Sequence, residues 1–253
     1  MDQLMHIACK AGKILLESGA ETYRVEDTMV KICEAYGAKE AHSFVLPTGI
    51  FLSLTQDGET YTQVVRVKNR AVDLNKIERI NALSRDAHEQ RITQEQFLTS
   101  LGDIRAITPY PMHVQILLSG LCGAGFVFFY RGTPMDAVVA FVSTILVKLV
   151  VSTLEKYGLI NFLSNAVGGA VATVCAMAIL SMGIGTNLNI IISSTIMILV
   201  PGVAITNAIR DSIAGDLVSG ITKAVEAMII AVSIALGTGA ALSLWMLAAG
   251  GLL

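Results

Sequence analysis

Apolar residues recur with helical period from the start of the chain: Leu4, Ile7, Ala8, Ala11, Leu15 and Leu16 share one face. Gly19 is placed to stop that helix. The spacing predicts a second helix from about Thr22 to Tyr36, with Val25, Met29, Ile32 and Cys33 on one stripe and Gly37 after its end. Thr22 is positioned as its cap, although Val25 stands where a capping box needs Glu or Gln. The segment HSFVLPTGIFLSLTQDGETYTQVVRVKN then holds two apolar or β-branched runs joined around Asp57-Gly58, a hairpin dipeptide. Pro47 predicts an edge strand or a bend in the first run. Helical spacing returns over residues 72–101, through Val72, Ile77, Ile80, Leu83, Ile92, Phe97 and Leu98. Residues 1–112 are therefore expected to form an α+β domain, helices over a small sheet, ending where Pro109 and Pro111 punctuate the chain.

From residue 113 onward the apolar runs reach the length that crosses a bilayer. Spans are expected at about 113–130, 135–154, 160–182, 188–209 and 224–249, with short connections. The fold class is thus an α-helical polytopic membrane protein with an N-terminal α+β cytoplasmic domain, divided as 1–112 and 113–253. An odd number of crossings puts the termini on opposite sides. With the first domain in the cytoplasm, Lys156, Arg210 and Lys223 fall inside and Arg131 outside, as the positive-inside rule prefers. The expectation is a multi-pass protein of the cell membrane, N-terminus cytoplasmic and C-terminus outside. The first helix mixes charges into its apolar run, so it reads as neither a signal peptide nor an anchor.

Composition sharpens this division. Mean hydropathy is +0.64 and 15% of residues are charged, against about 25% in soluble domains. Residues 1–112 hold 13 of the 18 Lys and Arg and 15 of the 20 Asp and Glu. A net charge of −2 leaves no basic footprint for nucleic acid. Cys9, Cys33, Cys122 and Cys175 lack CxxC spacing, and His6, His42, His88 and His113 are scattered, so no metal site or cofactor is expected.

Polar residues inside the spans are the informative ones. Thr144, Lys148, Ser152 and Glu155 share a helical face. Lys148 either snorkels to the interface or faces a cavity that Asn161 and Asn165 also line. Small residues (Ser119, Gly120, Gly123, Ala124 and Gly125; Gly168, Gly169, Ala172 and Thr173; Gly237, Gly239 and Ala240) let helices approach closely. They act as packing glue or edge a translocation path.

The stretch PGVAITNAIRDSIAGDLVSGITKAVEAMII, residues 201–230, interrupts this apolar region. Pro201 and Gly202 break the fourth span, and broken helices are where transporters commonly bind solute and coupling ions. Asn207, Arg210 and Asp211 then share a face, as do Asp216, Ser219, Lys223 and Glu226 beyond Gly215. Arg210 is expected to pair with Asp211 or Asp216, and Lys223 with Glu226. The segment is either a solvated cytoplasmic loop or a gate or binding site. In the second case Arg210 and Lys223 can hold a substrate carboxylate, and a buried Asp or Glu can hold a proton.

This stretch, with its Pro-Gly, Asn-Ala-Ile-Arg-Asp, Gly-Asp, Ser-Gly and Glu-Ala in order, resembles the signature of the threonine/serine exporter family. SGAETYRVEDTM, residues 18–29, is similar to the family's N-terminal motif. By that resemblance Pro201, Gly202, Asn207, Arg210, Asp211, Gly215, Asp216, Gly220 and Glu226 are family positions. Glu21, Tyr23, Arg24 and Glu26 carry the second motif. Lys223 stands where arginine is frequent. The resemblance implies a secondary exporter of small carboxylate-bearing metabolites, either threonine- and serine-type amino acids or dicarboxylates such as succinate. It implies a separate membrane partner subunit of about 150 residues; with an exporter, proton coupling and an oligomer in the lipid bilayer are expected. The 18–29 motif is then either a solvated helix start or a dock for the first domain, with Arg24 paired to Asp211 or Asp216. Two rivals stay open: a membrane-anchored enzyme with its chemistry in residues 1–112, for which no nucleophile–base–acid set or phosphate loop is visible, and a ligand sensor with passive spans.

Overall fold

A computed structural model describes residues 2–56 and 58–248. The elements are α1 (Asp2–Glu17), α2 (Thr22–Ala35), β1 (Glu40–Leu46), β2 (Gly49–Gln56), β3 (Glu59–Arg66), α3 (Leu74–His88), α4 (Gln94–Ala106), α5 (Met112–Phe129), α6 (Pro134–Lys156), α7 (Asn161–Ser181), α8 (Leu188–Ile196) with a 3-10 turn at Met197–Leu199, α9 (Gly202–Ile213) and α10 (Leu217–Ala248). They divide into two compact units. The first is Met1–Thr108 with Gly202–Val225; the second is Pro109–Pro201 with Glu226–Leu253. The expected first domain thus gains a segment from far along the chain.

In the first unit the three strands form an antiparallel meander in the order β1-β2-β3. Its alternation follows from the strand period of two. Ile50, Leu52 and Leu54 are fully buried against the helices, while Phe51 between them is 40% exposed on the other face. The two runs read from sequence become three strands because the first one folds back at Pro47-Thr48. Proline fixes the φ that a turn needs and has no N–H to give to a ladder, and Leu46 pairs directly with Gly49. Asp57 of the second turn lies outside the described residues; Gly58 beside it has φ +82°. Leu4, Ile7, Ala8, Ala11 and Leu15 of α1 meet Val25, Met29 and Ile32 of α2, Ile80 of α3 and Phe97 of α4 in one core. Thr22 does not cap α2. Glu21 occupies the cap position without a side-chain capping bond, and Thr22 is the first helical residue.

Helices α5, α6, α7 and α10 are long and apolar enough to cross a membrane; α8 and α9 add a fifth crossing if they are counted as one broken span. Proline restricts the residue before it to extended geometry. Val200 accordingly has ψ 127°, and the expected 188–209 helix splits there. The helix that holds the last expected span, 224–249, starts at Leu217; residue 249 lies outside the described residues.

Small residues seat the helices of the second unit. A Cβ on Gly123 would stand 2.1 Å from Thr144 Oγ1, and one on Gly237 would stand 1.8 Å from the Ala166 carbonyl oxygen. A Cβ on Gly239 would meet no neighbouring atom of the described residues within 4 Å. Because a backbone oxygen cannot turn aside, Gly237→Val should abolish a monodisperse detergent-solubilised protein on gel filtration. Gly239→Ala should leave the thermal midpoint unchanged, within the ~0.5 kcal/mol of ordinary surface substitutions.

Candidate functional site

The first unit brings the two sequence motifs together. Helix α1 ends in a reversal at Gly19, where φ is +83° and the Ala20 N–H donates back to the Leu15 carbonyl. The turn that follows has polar backbone groups to satisfy before α2 begins. The α9–α10 segment supplies the partners. Asn207 Nδ2 donates to the Gly19 carbonyl at 2.7 Å. Asp211 Oδ1 accepts from the Thr22 N–H at 2.9 Å, and its Oδ2 accepts from Thr22 Oγ1 at 3.1 Å. Asp211 therefore does for the start of α2 what a local cap ordinarily does, from 189 residues away.

The carboxylate of Asp211 is fully buried, which is tolerable only with a countercharge. Lys223 Nζ provides it at 2.7 Å, itself only 8% exposed along its side chain, and also donates to the Ala20 carbonyl at 3.3 Å. Arg210 is 55% exposed and reaches Glu21 Oε1 at 2.6 Å, while Arg24 lies 3.6 Å from the other oxygen of Glu21. Gly220 lets α10 cross α9 closely; a Cβ there would meet Ser212 Oγ at 2.1 Å. Gly215, with φ +98°, makes the turn between them. The expected partners thus change. Arg210 pairs with Glu21 instead of Asp211 or Asp216, Lys223 pairs with Asp211, and Arg24 pairs with Glu21. Glu226 belongs to the second unit, as does Pro201, while Gly202 opens the segment in the first. Tyr23 is exposed beside the cluster.

Three acids around this network differ in how readily they hold a proton. Burial raises Glu21, but its own backbone N–H, the Arg210 hydrogen bond and the charges of Arg24 and Arg210 outweigh that and hold it below the usual carboxylate range. Glu26 is pushed up by burial and by the charges of Asp216 and Asp211, against a 2.6 Å bond from the Val45 N–H. Asp216 is pushed up by burial and then by Asp211, with Lys223 opposing. Its Oδ2 is buried with no hydrogen-bond partner among the described residues. Burial also pushes the Cys9 and Cys33 thiols up to about 12, so they behave as core residues. The groove of about 430 Å³ near Tyr36, Gln90 and Ile92 offers no acid–base pair: the Tyr36 hydroxyl donates to the Ile92 carbonyl.

The second unit holds the other two expected residues. Lys148 and Asn165 line a cavity of about 170 Å³ with Ser119, Glu155, Ile198 and Leu199. Thr144, expected on the same polar stripe, is fully buried with its Oγ1 close to Gly123 and is not among the residues that line the cavity. Hydropathy passes over Asp136, which is fully buried. It accepts from the backbone and hydroxyl of Thr133 and of Thr186, at 2.6–3.0 Å, and from the Asn187 N–H at 3.2 Å. The signal for half of this was present: Thr133-Pro134 with Asp136 is a helix-start pattern. The contact with Thr186 is long-range and left no trace in the local pattern.

Compared with known proteins, residues 6–245 match the ThrE model of threonine/serine exporters. The chain belongs to the threonine/serine exporter family. This member is a transporter and a multi-pass membrane protein. It is 22% identical over 232 residues to the "Probable succinate transporter subunit YjjP" of Klebsiella aerogenes, covering 91% of this chain and 90% of that one. It is 24% identical over 249 residues to the "Threonine/serine exporter" of Corynebacterium glutamicum, covering 95% of this chain and 51% of the relative; the exporter family member described here spans about half that protein's length. No solved structure matches significantly.

Removing one partner of a buried pair strands the other charge. Asp211→Ala should cost about 3–5 kcal/mol in thermal unfolding of the full chain in detergent, whereas Asp211→Leu with Lys223→Met should recover most of that. The acids set the pH dependence. A carboxyl with a raised folded-state pKa stabilises fully at low pH and loses that contribution as pH rises through its folded value. Glu26 and Asp216 are of this kind. Glu21 is the reverse, its contribution lost as pH falls below the usual carboxylate range. The thermal midpoint should therefore rise on mild acidification and fall on further acidification. Glu26→Gln should weaken the rise, and Glu21→Gln should remove the part of the acid limb that Glu21 supplies.

Proposed function

We propose that the chain is one subunit of a secondary exporter that carries small carboxylate-bearing metabolites out of the cell. The single observation behind this is the Asp211-centred network. The family signature on α9 and α10 is committed to the loop between α1 and α2, so the two motifs act as one gate element. A gate follows because α9 starts directly after the Pro201 break, the place where a membrane helix bends most cheaply. Threonine, serine and succinate are the candidate solutes, taken from the printed names of the relatives.

The first unit is cytoplasmic in this reading and the C-terminus lies outside. Lys156, Arg210 and Lys223 on one side against Arg131 on the other favour it. So does the length of α10: 32 residues rise about 48 Å, well beyond a hydrocarbon core of ~30 Å. The overhang belongs at the polar end, around Asp216 and Lys223. A separate membrane subunit is supported by the word "subunit" in the names of the two YjjP relatives. Proton drive is supported by Glu26 and Asp216, which take up protons more readily than ordinary carboxyls.

The test is efflux of labelled threonine, serine and succinate from cells expressing the full chain with a neighbouring small membrane subunit. At least one solute should leave faster than from empty cells, and only with both subunits present. Arg210→Ala should return that efflux to background at an unchanged amount of protein in the membrane. No efflux of any solute overturns the exporter reading; normal efflux by Arg210→Ala removes the gate role of the signature.

A further inference from the structure

The two cations of the signature segment are already committed to protein partners. Arg210 holds Glu21, and Lys223 holds Asp211. Lys148 is different. It is half-buried in the second unit, and among the described residues it makes no ion pair, nor does Glu155. Both face the cavity of about 170 Å³ beside Asn165, Ser119 and the Ile198-Leu199 turn. Asn165 Nδ2 donates to the Asn161 carbonyl, which leaves its Oδ1 to accept. The cavity has room for a handful of waters at ~30 Å³ each and is smaller than the ~300–1,000 Å³ of drug-sized pockets. That suits a solute of a few carbons.

A second observation points the same way. Hydroxyls in membrane helices ordinarily donate to a carbonyl one turn back, as Thr173 and Thr195 do here. Ser143, Thr144, Ser164 and Ser194 do not: each is fully buried and has no hydrogen-bond partner among the described residues. Buried polar groups without partners are rare and call for a reason. Helices α6 and α8 run in the same direction, since Asp136 near the start of α6 bonds Thr186 and Asn187 just ahead of α8, while Lys148 and Ile198 further along both line the cavity. Thr144 lies four residues before Lys148, and Ser194 four before Ile198. Both hydroxyls therefore sit about one turn, ~6 Å, to the same side of the cavity.

We propose that the Lys148 cavity seats the carboxylate of the transported solute, and that Ser143, Thr144 and Ser194 form the next polar tier of its route. This rests on the exporter reading and gives it a place in the second unit. Lys148 supplies a charge-assisted bond to the carboxylate, Asn165 and Ser119 take the solute's remaining polar group, and the orphan hydroxyls replace lost water contacts as the solute advances.

Counterflow of labelled threonine, serine and succinate in membranes carrying the full chain and its partner subunit tests it. For whichever solute the unaltered protein moves, Lys148→Gln should raise the half-saturating concentration about ten-fold or more, the scale of one hydrogen bond to a charge. Asn165→Asp keeps Lys148 but adds a negative charge, and should also raise it several-fold. Ser143→Ala with Thr144→Val and Ser194→Ala should lower the maximal rate with less effect on half-saturation. Should Lys148→Gln fail to reach the membrane, Asn165→Asp decides. Wild-type half-saturation in both cavity variants that reach the membrane, with the unaltered protein active, overturns the cavity assignment and leaves the exporter reading standing. An inactive unaltered protein overturns both.

Discussion

A carboxylate with no access to water must be answered by donors and by a cation, and Asp211 is such a group. Its answer comes from both ends of the chain: Thr22 from the start of α2 and Lys223 from the start of α10. That requirement explains why a segment from beyond the break at Pro201 belongs to the same compact unit as the N-terminal helices and sheet. Asn207, Arg210 and Gly220 then have consistent roles. The first ties down the Gly19 carbonyl, the second covers Glu21, and the third lets the two helices approach closely enough for Lys223 to reach.

The two units answer their polar groups by different means. In the first, Glu21 and Asp211 are paired across long sequence distances, and Glu26 and Asp216 are the acids pushed up by burial. In the second, Asp136 is saturated by backbone and hydroxyl donors, whereas Lys148 and the four buried hydroxyls of Ser143, Thr144, Ser164 and Ser194 have no hydrogen-bond or ion-pair partner among the described residues.

Much of this was legible from hydrophobic period and length. The helices α1 to α4, the strand region, α5 to α7 and the helix break at Pro201 follow from apolar spacing and from proline's missing N–H. The third strand was hidden because Pro47-Thr48 reads equally well as a kink and as a turn. The site residues were visible as charges in an apolar setting, but their partners were not. Local spacing favours i, i+3 and i+4 pairs, so Lys223 was expected on Glu226 and Arg210 on Asp211. The native pairs span 12 and 189 residues, a distance at which pattern carries no information. Asp136 went unnoticed for the same reason, since most of its donors lie 50 residues away.

The central claim is that Asp211 completes the start of α2, and residue-resolved amide hydrogen exchange of the full chain in detergent tests it most directly. The Thr22 N–H sits in the first turn of a helix, where no intrahelical acceptor exists, so only Asp211 can protect it. The account predicts that this amide exchanges as slowly as the interior of α2, and that Asp211→Ala releases it to the rate of an open helix end while the middle of α2 stays protected. A Thr22 amide that exchanges freely in the unaltered protein would contradict it.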